Sequence, residues 1–174
     1  TCNVMMAATL AKGETVLTHA AREPEVVQLG DMLKAMGADI EGLGAPTIRI
    51  RGGRKLHGVE LSIIPDRIET ATFLIAGGLH PESDLVVRRT RPDHLEAVLD
   101  TLRAVGLNIQ DAGNGDLRVR RNGPLRPHRV RTEVYPDHAA GHDSPSSWWR
   151  DAVRPGLRRA HQAQGTPGAR RRHP

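Results

Sequence analysis

Gly37 and Gly106 lie 69 positions apart and mark the same point in two copies of one pattern. That duplication limits the folds open to the chain, because apolar positions that recur at a fixed offset imply a recurring supersecondary unit. The first copy runs from a strand at Thr15–Thr18 through a helix opened by Pro24 to the stop at Gly37. Two short strands follow, Asp39–Glu41 and Thr47–Ile50. In the second copy a strand at Leu85–Val87 precedes a helix opened by Pro92, the stop at Gly106, and strands at Asn108–Gln110 and Leu117–Val119. The same offset carries Val26 to Leu95, Leu29 to Val98, Leu33 to Leu102, Ile40 to Ile109 and Ile48 to Leu117.

Each copy is legible in its details. The helix over about 24–36 has proline in its first turn, Glu23 and Glu25 at the positive end of its dipole, and an apolar stripe of Val26, Leu29, Leu33 and Met36. The helix over about 92–105 repeats this with Asp93 in the acidic role and Leu95, Val98, Leu99, Leu102 and Val105 as its stripe. Gly37 and Gly106 suit the left-handed position after the last turn. Alternation in Thr47–Arg51 and Asp116–Arg120 predicts strands that are apolar on one face and charged on the other. A further helix is expected over residues 3–11. Glu60–Pro65 reads as a strand leading into a helix from Asp66 to about Gly77, with Ile68, Leu74 and Ile75 as its apolar residues. Asp66 is placed to cap that helix, with Glu69 three residues on. Helix–strand–helix–strand–strand, twice over, predicts small α/β units.

Composition bounds the rest. With 174 residues and 38% hydrophobic content the chain can build one ordinary core or two small ones. No apolar run approaches the roughly 18 residues that a membrane-spanning helix needs, so a cytoplasmic protein without membrane association is expected. Cys2, the single cysteine, can form no internal disulfide and no cysteine-based zinc site, and is expected to be buried as a small apolar residue. The net charge of +5 is unevenly placed: residues 1–136 hold 18 Lys and Arg against 17 Asp and Glu, whereas residues 137–174 hold 7 against 3. A nucleic-acid-binding body would pair a basic face with aromatic stacking positions, and residues 1–136 offer only Phe73 and Tyr135, so nucleic acid is not an expected partner. Residues 137–174 contain the Trp148-Trp149 pair and show neither helical nor strand periodicity, which predicts disorder. The tail histidines (His138, His142, His161 and His173) have no metal-site spacing.

Three strings occur in order: Ala20-Ala21-Arg22-Glu23-Pro24-Glu25, Leu33-Lys34-Ala35-Met36-Gly37-Ala38, and Pro65-Asp66-Arg67-Ile68-Glu69-Thr70-Ala71-Thr72-Phe73-Leu74. Together they resemble the UDP-N-acetylglucosamine 1-carboxyvinyltransferases of the enolpyruvyl transferase family, over about residues 1–136. The resemblance implies repeated βαβαββ units of an inside-out α/β barrel, here incomplete. It places the end of one domain at residues 1–58, the first unit of a second at 59–136, and a divergent tail at 137–174, whose Arg-, Ala- and Pro-rich composition suggests a change of reading frame or a truncation. The implied activity transfers enolpyruvyl from phosphoenolpyruvate to the 3-hydroxyl of UDP-N-acetylglucosamine, a step in peptidoglycan precursor synthesis that requires no metal or organic cofactor. Such addition and elimination needs an acid, a base and cations around phosphate and carboxylate.

The resemblance puts the family's phosphoenolpyruvate-gripping cations and reactive loop before the position of Thr1. Its Phe-Pro-Thr-Asp string falls where this chain reads Asp137-His138-Ala139-Ala140-Gly141. No catalytic residue is therefore carried over, and the chain by itself is expected to be inactive. Asp66, Arg67 and Glu23 remain as candidates facing an interdomain cleft. Their structural readings are a helix cap for Asp66, a surface ion pair or first-turn charge for Arg67 and Glu69, and a helix-dipole partner for Glu23. Two other functions stay open: enolpyruvyl transfer to a 3-phosphoshikimate-type acceptor, and a noncatalytic binding protein whose basic tail takes an acidic partner.

Overall fold

The computed structural model describes residues 1–130 and Tyr135; the tail over 137–174, with its expected disorder, lies outside the described residues. Elements follow in the order α1 (Cys2–Leu10), β1 (Gly13–Thr18), α2 (Pro24–Ala35), β2 (Asp39–Glu41), β3 (Thr47–Gly52), α3 (Arg67–Leu79), β4 (Asp84–Val87), α4 (Glu96–Val105), β5 (Leu107–Gly113) and β6 (Asp116–Arg121). Three-stranded antiparallel sheets form twice, ordered β1-β3-β2 and β4-β6-β5. The same connectivity in both halves is what the sequence duplication predicts.

The register repeats as well. Ile40 lies opposite Ile50 in the first sheet, and Ile109 opposite Val119 in the second, all at the offset of 69. Leu17 faces Ile48 and Val87 faces Leu117, so the strands β1 and β4 correspond at an offset of 70. The second unit thus has one residue more before its first strand and one fewer after it. Because side chains alternate across a strand, a preserved register keeps the same positions in the core. Ile48, Ile50, Leu117 and Val119 are all essentially solvent-free. Each sheet turns its apolar face to two helices, giving one core around Met5, Val26, Leu33 and Ile50 and another around Leu74, Leu95, Leu102 and Val119.

The opposite sheet faces carry matched ion pairs. Arg49 donates to Glu14 at 3.0 Å in the first unit, while Arg118 and Arg120 both donate to Asp84 in the second. The two arginines hold the Asp84 carboxyl well below the usual carboxylate range. At the end of α2, Ala38 N–H bonds the Leu33 carbonyl and Gly37 N–H the Lys34 carbonyl, both at 2.9 Å, closing a Schellman motif through Gly37 at φ +106°. Gly106 plays the same part after α4, at φ +110°.

Four expectations need correction. Glu60–Pro65 forms no strand: Ile63 is 72% exposed, and no strand among the described residues lies beside the segment to complete a ladder. The helix expected from Pro92 is broken. A 3-10 turn over Pro92–His94 is followed by Leu95 at φ −124°, which drops that side chain into the core before α4 starts at Glu96. Asp93 is consequently clamped by Arg91, at 3.0 and 2.7 Å, and Glu96 takes the first-turn position. Ile68, finally, points outward at 54% exposure, because α3 presents Ala71, Leu74, Gly77 and Gly78 to its sheet. Cys2 is half-buried at the edge of the first core rather than fully enclosed.

Candidate functional site

The Arg22-Glu23-Pro24-Glu25 turn and the start of α3 meet where the two units join. Pro24 fixes the first turn of α2 and has no N–H to satisfy, so the chain enters the helix sharply at Glu23. This leaves Glu25 projecting from the first turn toward α3. On the other side, Asp66 accepts from the amides of Ile68 at 2.7 Å and Glu69 at 3.2 Å, fixing the orientation of the first turn of α3 and of Arg67 within it. The linker between the units is laid along α2 by Gln28. Its amide donates to the Ser62 carbonyl at 3.0 Å and accepts from Ile64 N–H at 3.2 Å.

Arg67 closes the junction. Its Nε and Nη2 donate to the two oxygens of Glu25 at 3.1 and 2.9 Å, a bidentate pair spanning 42 residues of sequence. The partner is therefore Glu25, not a neighbour in the first turn of α3. The guanidinium sits 5.7 Å from the centre of the Tyr135 ring, within cation–π range. The hydrogen bonds from Arg67 hold the Glu25 carboxyl below its ordinary value, and Glu25 in turn raises the guanidinium, with Glu23 contributing through its charge. Glu23 has one carboxylate oxygen that is buried without a hydrogen-bond partner.

Asp66, Arg67 and Glu23 thus lie at one junction, where Arg67 is held by Glu25 and feels the charge of Glu23, and Asp66 caps the helix that carries Arg67. Two cavities flank the cluster. One of about 450 Å³ is lined by Asp66, Glu69, Phe73, Arg88 and Arg89, and one of about 430 Å³ by Arg22, Gln28, Asp31, Arg91, His94 and Tyr135. The Glu25 and Glu23 carboxylates stand by the Arg67 guanidinium, while Arg22, Arg88, Arg89 and Arg91 line the flanking cavities. The junction therefore offers carboxylate acceptors for hydroxyl or amide donors, with cations along the cavities beside it. Gln28, Arg91, His94 and Tyr135 carried no signal in the sequence, since a glutamine on a helix's polar side looks like any solvated residue.

Two repeats of one helix–strand–helix–strand–strand unit have a solved counterpart. The enolpyruvyl transferase NikO from Streptomyces tendae is similar with a TM-score of 0.58 and 32% identity, over 69% of this chain and 29% of that one. The family model for EPSP synthase (3-phosphoshikimate 1-carboxyvinyltransferase) matches residues 1–142, and the chain belongs to that family of enolpyruvyl transferases. Within it, the chain is 54% identical over 134 residues to a UDP-N-acetylglucosamine 1-carboxyvinyltransferase of Acidobacterium capsulatum, covering 77% of this chain and 30% of the relative. A protein of the same name from Anaeromyxobacter sp. is 52% identical over 134 residues, 77% of this chain and 31% of that protein. The chain spans about a third of the length of these relatives. No described helix is long and apolar enough to cross a membrane.

Proposed function

We propose that this chain supplies scaffold and interdomain joint for the transfer of enolpyruvyl from phosphoenolpyruvate to the 3-hydroxyl of UDP-N-acetylglucosamine, a cytoplasmic step of peptidoglycan precursor and cell-wall synthesis. The observation that carries this reading is the 54% identity to a protein named for that reaction. In the reaction the sugar hydroxyl adds to C2 of phosphoenolpyruvate while a proton goes to the methylene carbon. Loss of a proton from the resulting methyl group and of phosphate from C2 then leaves the enol ether. Residues 1–58 and 59–136 belong to different domains in this proposal, and Asp66, Arg67 and Glu23 face the cleft between them. Their carboxylates supply acceptors with which hydroxyl and amide donors of the sugar would be oriented. The cations for phosphate and carboxylate come from elsewhere in a full-length enzyme, so the 174-residue chain alone is inactive.

The family description favours a second reading, with 3-phosphoshikimate as acceptor. A chimera separates the two. This chain's matched 134 residues replace their counterparts in the A. capsulatum relative, and phosphate release from phosphoenolpyruvate is followed with each acceptor. Turnover with UDP-N-acetylglucosamine alone is expected; turnover with shikimate 3-phosphate, or with neither, would contradict the proposal.

A further inference from the structure

Glu60–Pro65 has the composition of a strand without a strand beside it among the described residues, and one side chain of the first unit stands in for that neighbour. In an extended chain the carbonyl of one residue and the N–H two residues on point to the same edge. A neighbouring strand fills that edge by donating to the first and accepting from the second. Gln28 does both: its Nε2 donates to the Ser62 carbonyl at 3.0 Å, and its Oε1 accepts from Ile64 N–H at 3.2 Å. A carboxamide carries the donor and the acceptor of a peptide group, which neither a carboxylate nor an ammonium group does.

The hold on Ile64 is passed on with little slack. Ile64 precedes a proline, which biases it to the extended region, and the ring of Pro65 fixes the next φ. Asp66 follows at once and starts α3 by accepting from the amides of Ile68 and Glu69. Arg67 then reaches back to Glu25. Gln28 and Glu25 are three residues apart on α2 and share one face of it. Between them they grip the chain on either side of Pro65 and Asp66, at Ile64 and at Arg67. Further back, His57 N–H bonds the Met36 carbonyl at 2.9 Å, so the linker follows α2 from its last turn to its first. Packing contributes little to this hold, since Val59, Leu61 and Ile63 are 40%, 37% and 72% exposed. The held stretch is also the wall between the two cavities: Ile63, Pro65 and Asp66 line one, and Leu61 and Ile64 line the other beside Gln28.

We propose that Gln28 is a positioning residue of the junction: serving as one rung of a missing strand, it fixes Ile64 and, through Pro65, sets the start of α3 so that Arg67 meets Glu25. It acts through Asp66 and Arg67 rather than on substrate. Its effect on turnover rests on the transferase reading above, whereas its effect on the junction does not. Because this junction offers acceptors for sugar donors and the cations for phosphoenolpyruvate come from elsewhere, Gln28 governs binding of the sugar nucleotide.

Gln28→Met tests this, because methionine keeps the length of the side chain and loses both bonds. In the 174-residue chain, followed by NMR, hydrogen exchange of the Ile64 amide is expected to speed up roughly fivefold or more, as for loss of one hydrogen bond. The Arg67 Nε–H resonance should shift with it. Unchanged exchange at Ile64, or an unmoved Arg67 resonance, would overturn the proposal. In the chimera with the A. capsulatum relative, the same substitution is expected to raise KM for UDP-N-acetylglucosamine by roughly tenfold and to leave KM for phosphoenolpyruvate within about twofold. A lowered melting temperature with both constants unmoved would mean that Gln28 stabilises without positioning, and would overturn the proposal; so would an equal rise in both constants. An unsubstituted chimera that turns over with neither acceptor, or with shikimate 3-phosphate, contradicts the transferase reading instead, and the two NMR readouts then decide the role of Gln28 at the junction by themselves.

Discussion

Arg67 and Glu25 form one ion pair, yet removing either partner should have unequal costs. Glu25→Gln leaves the guanidinium beside Glu23 and exchanges a charged acceptor for a neutral one, at a cost of about 0.5–1 kcal/mol for a partly exposed pair. Arg67→Ala leaves Glu25 without its bidentate partner and Glu23 without the nearby cation, and should cost about 1–2 kcal/mol. Urea titration of both variants would measure the difference, and equal costs would argue that Glu23 takes no part. Acid should act on the same pair. The Glu25 carboxyl is held below its ordinary value of 4.5, so it contributes stability above that pH, and the contribution is lost as pH falls through the lowered folded value. Wild type and Glu25→Gln should therefore converge in stability once pH has fallen below the lowered folded value; a gap that persists when the carboxyl is protonated in both states would mean that the charge is not what stabilises. Asp66 was legible in advance because a cap is a local device. The Glu25 partner was not, since 42 residues separate the two side chains and only the folded junction joins them.

At the scale of elements, close approach of α1 to β3 depends on a missing side chain. A methyl group at Gly52 would overlap the carbonyl oxygens of Ala8 and Ala11, backbone atoms with little freedom to retreat. Gly52→Ala should therefore cost about 2–3 kcal/mol by overpacking, whereas Gly58→Ala, with nothing nearby, should be within about 0.5 kcal/mol of wild type. Thermal melts of the two variants would check this, and similar midpoints would place α1 away from β3. Elements whose signals are local came through from sequence: α2 with Pro24 and Gly37, and β3 and β6 with their alternation. Elements that depend on partners did not. Glu60–Ile64 has strand composition but no neighbouring strand to bond among the described residues. The helix expected from Pro92 yields to Leu95, whose burial in the second core outweighs continuity of the helical turn.

At the scale of the molecule, the chain is one unit built twice, with matched cores and matched ion pairs on the outer sheet faces. The periodicity of apolar residues carried the cores, because burial of Ile40, Ile48 and their counterparts is written in hydrophobicity. The exposed positions of α1 were not separable from core positions by sequence, since Val4 and Met5 look alike until the sheet selects one of them. The most direct test is through-space NMR on the isotopically labelled chain. Contacts between Ile40 and Ile50 and between Ile109 and Val119, with β3 and β6 each central in a separate three-stranded sheet, are the predicted outcome. Strands of the two halves paired into one continuous sheet, or ordered differently in each half, would contradict the duplicated unit on which the account stands.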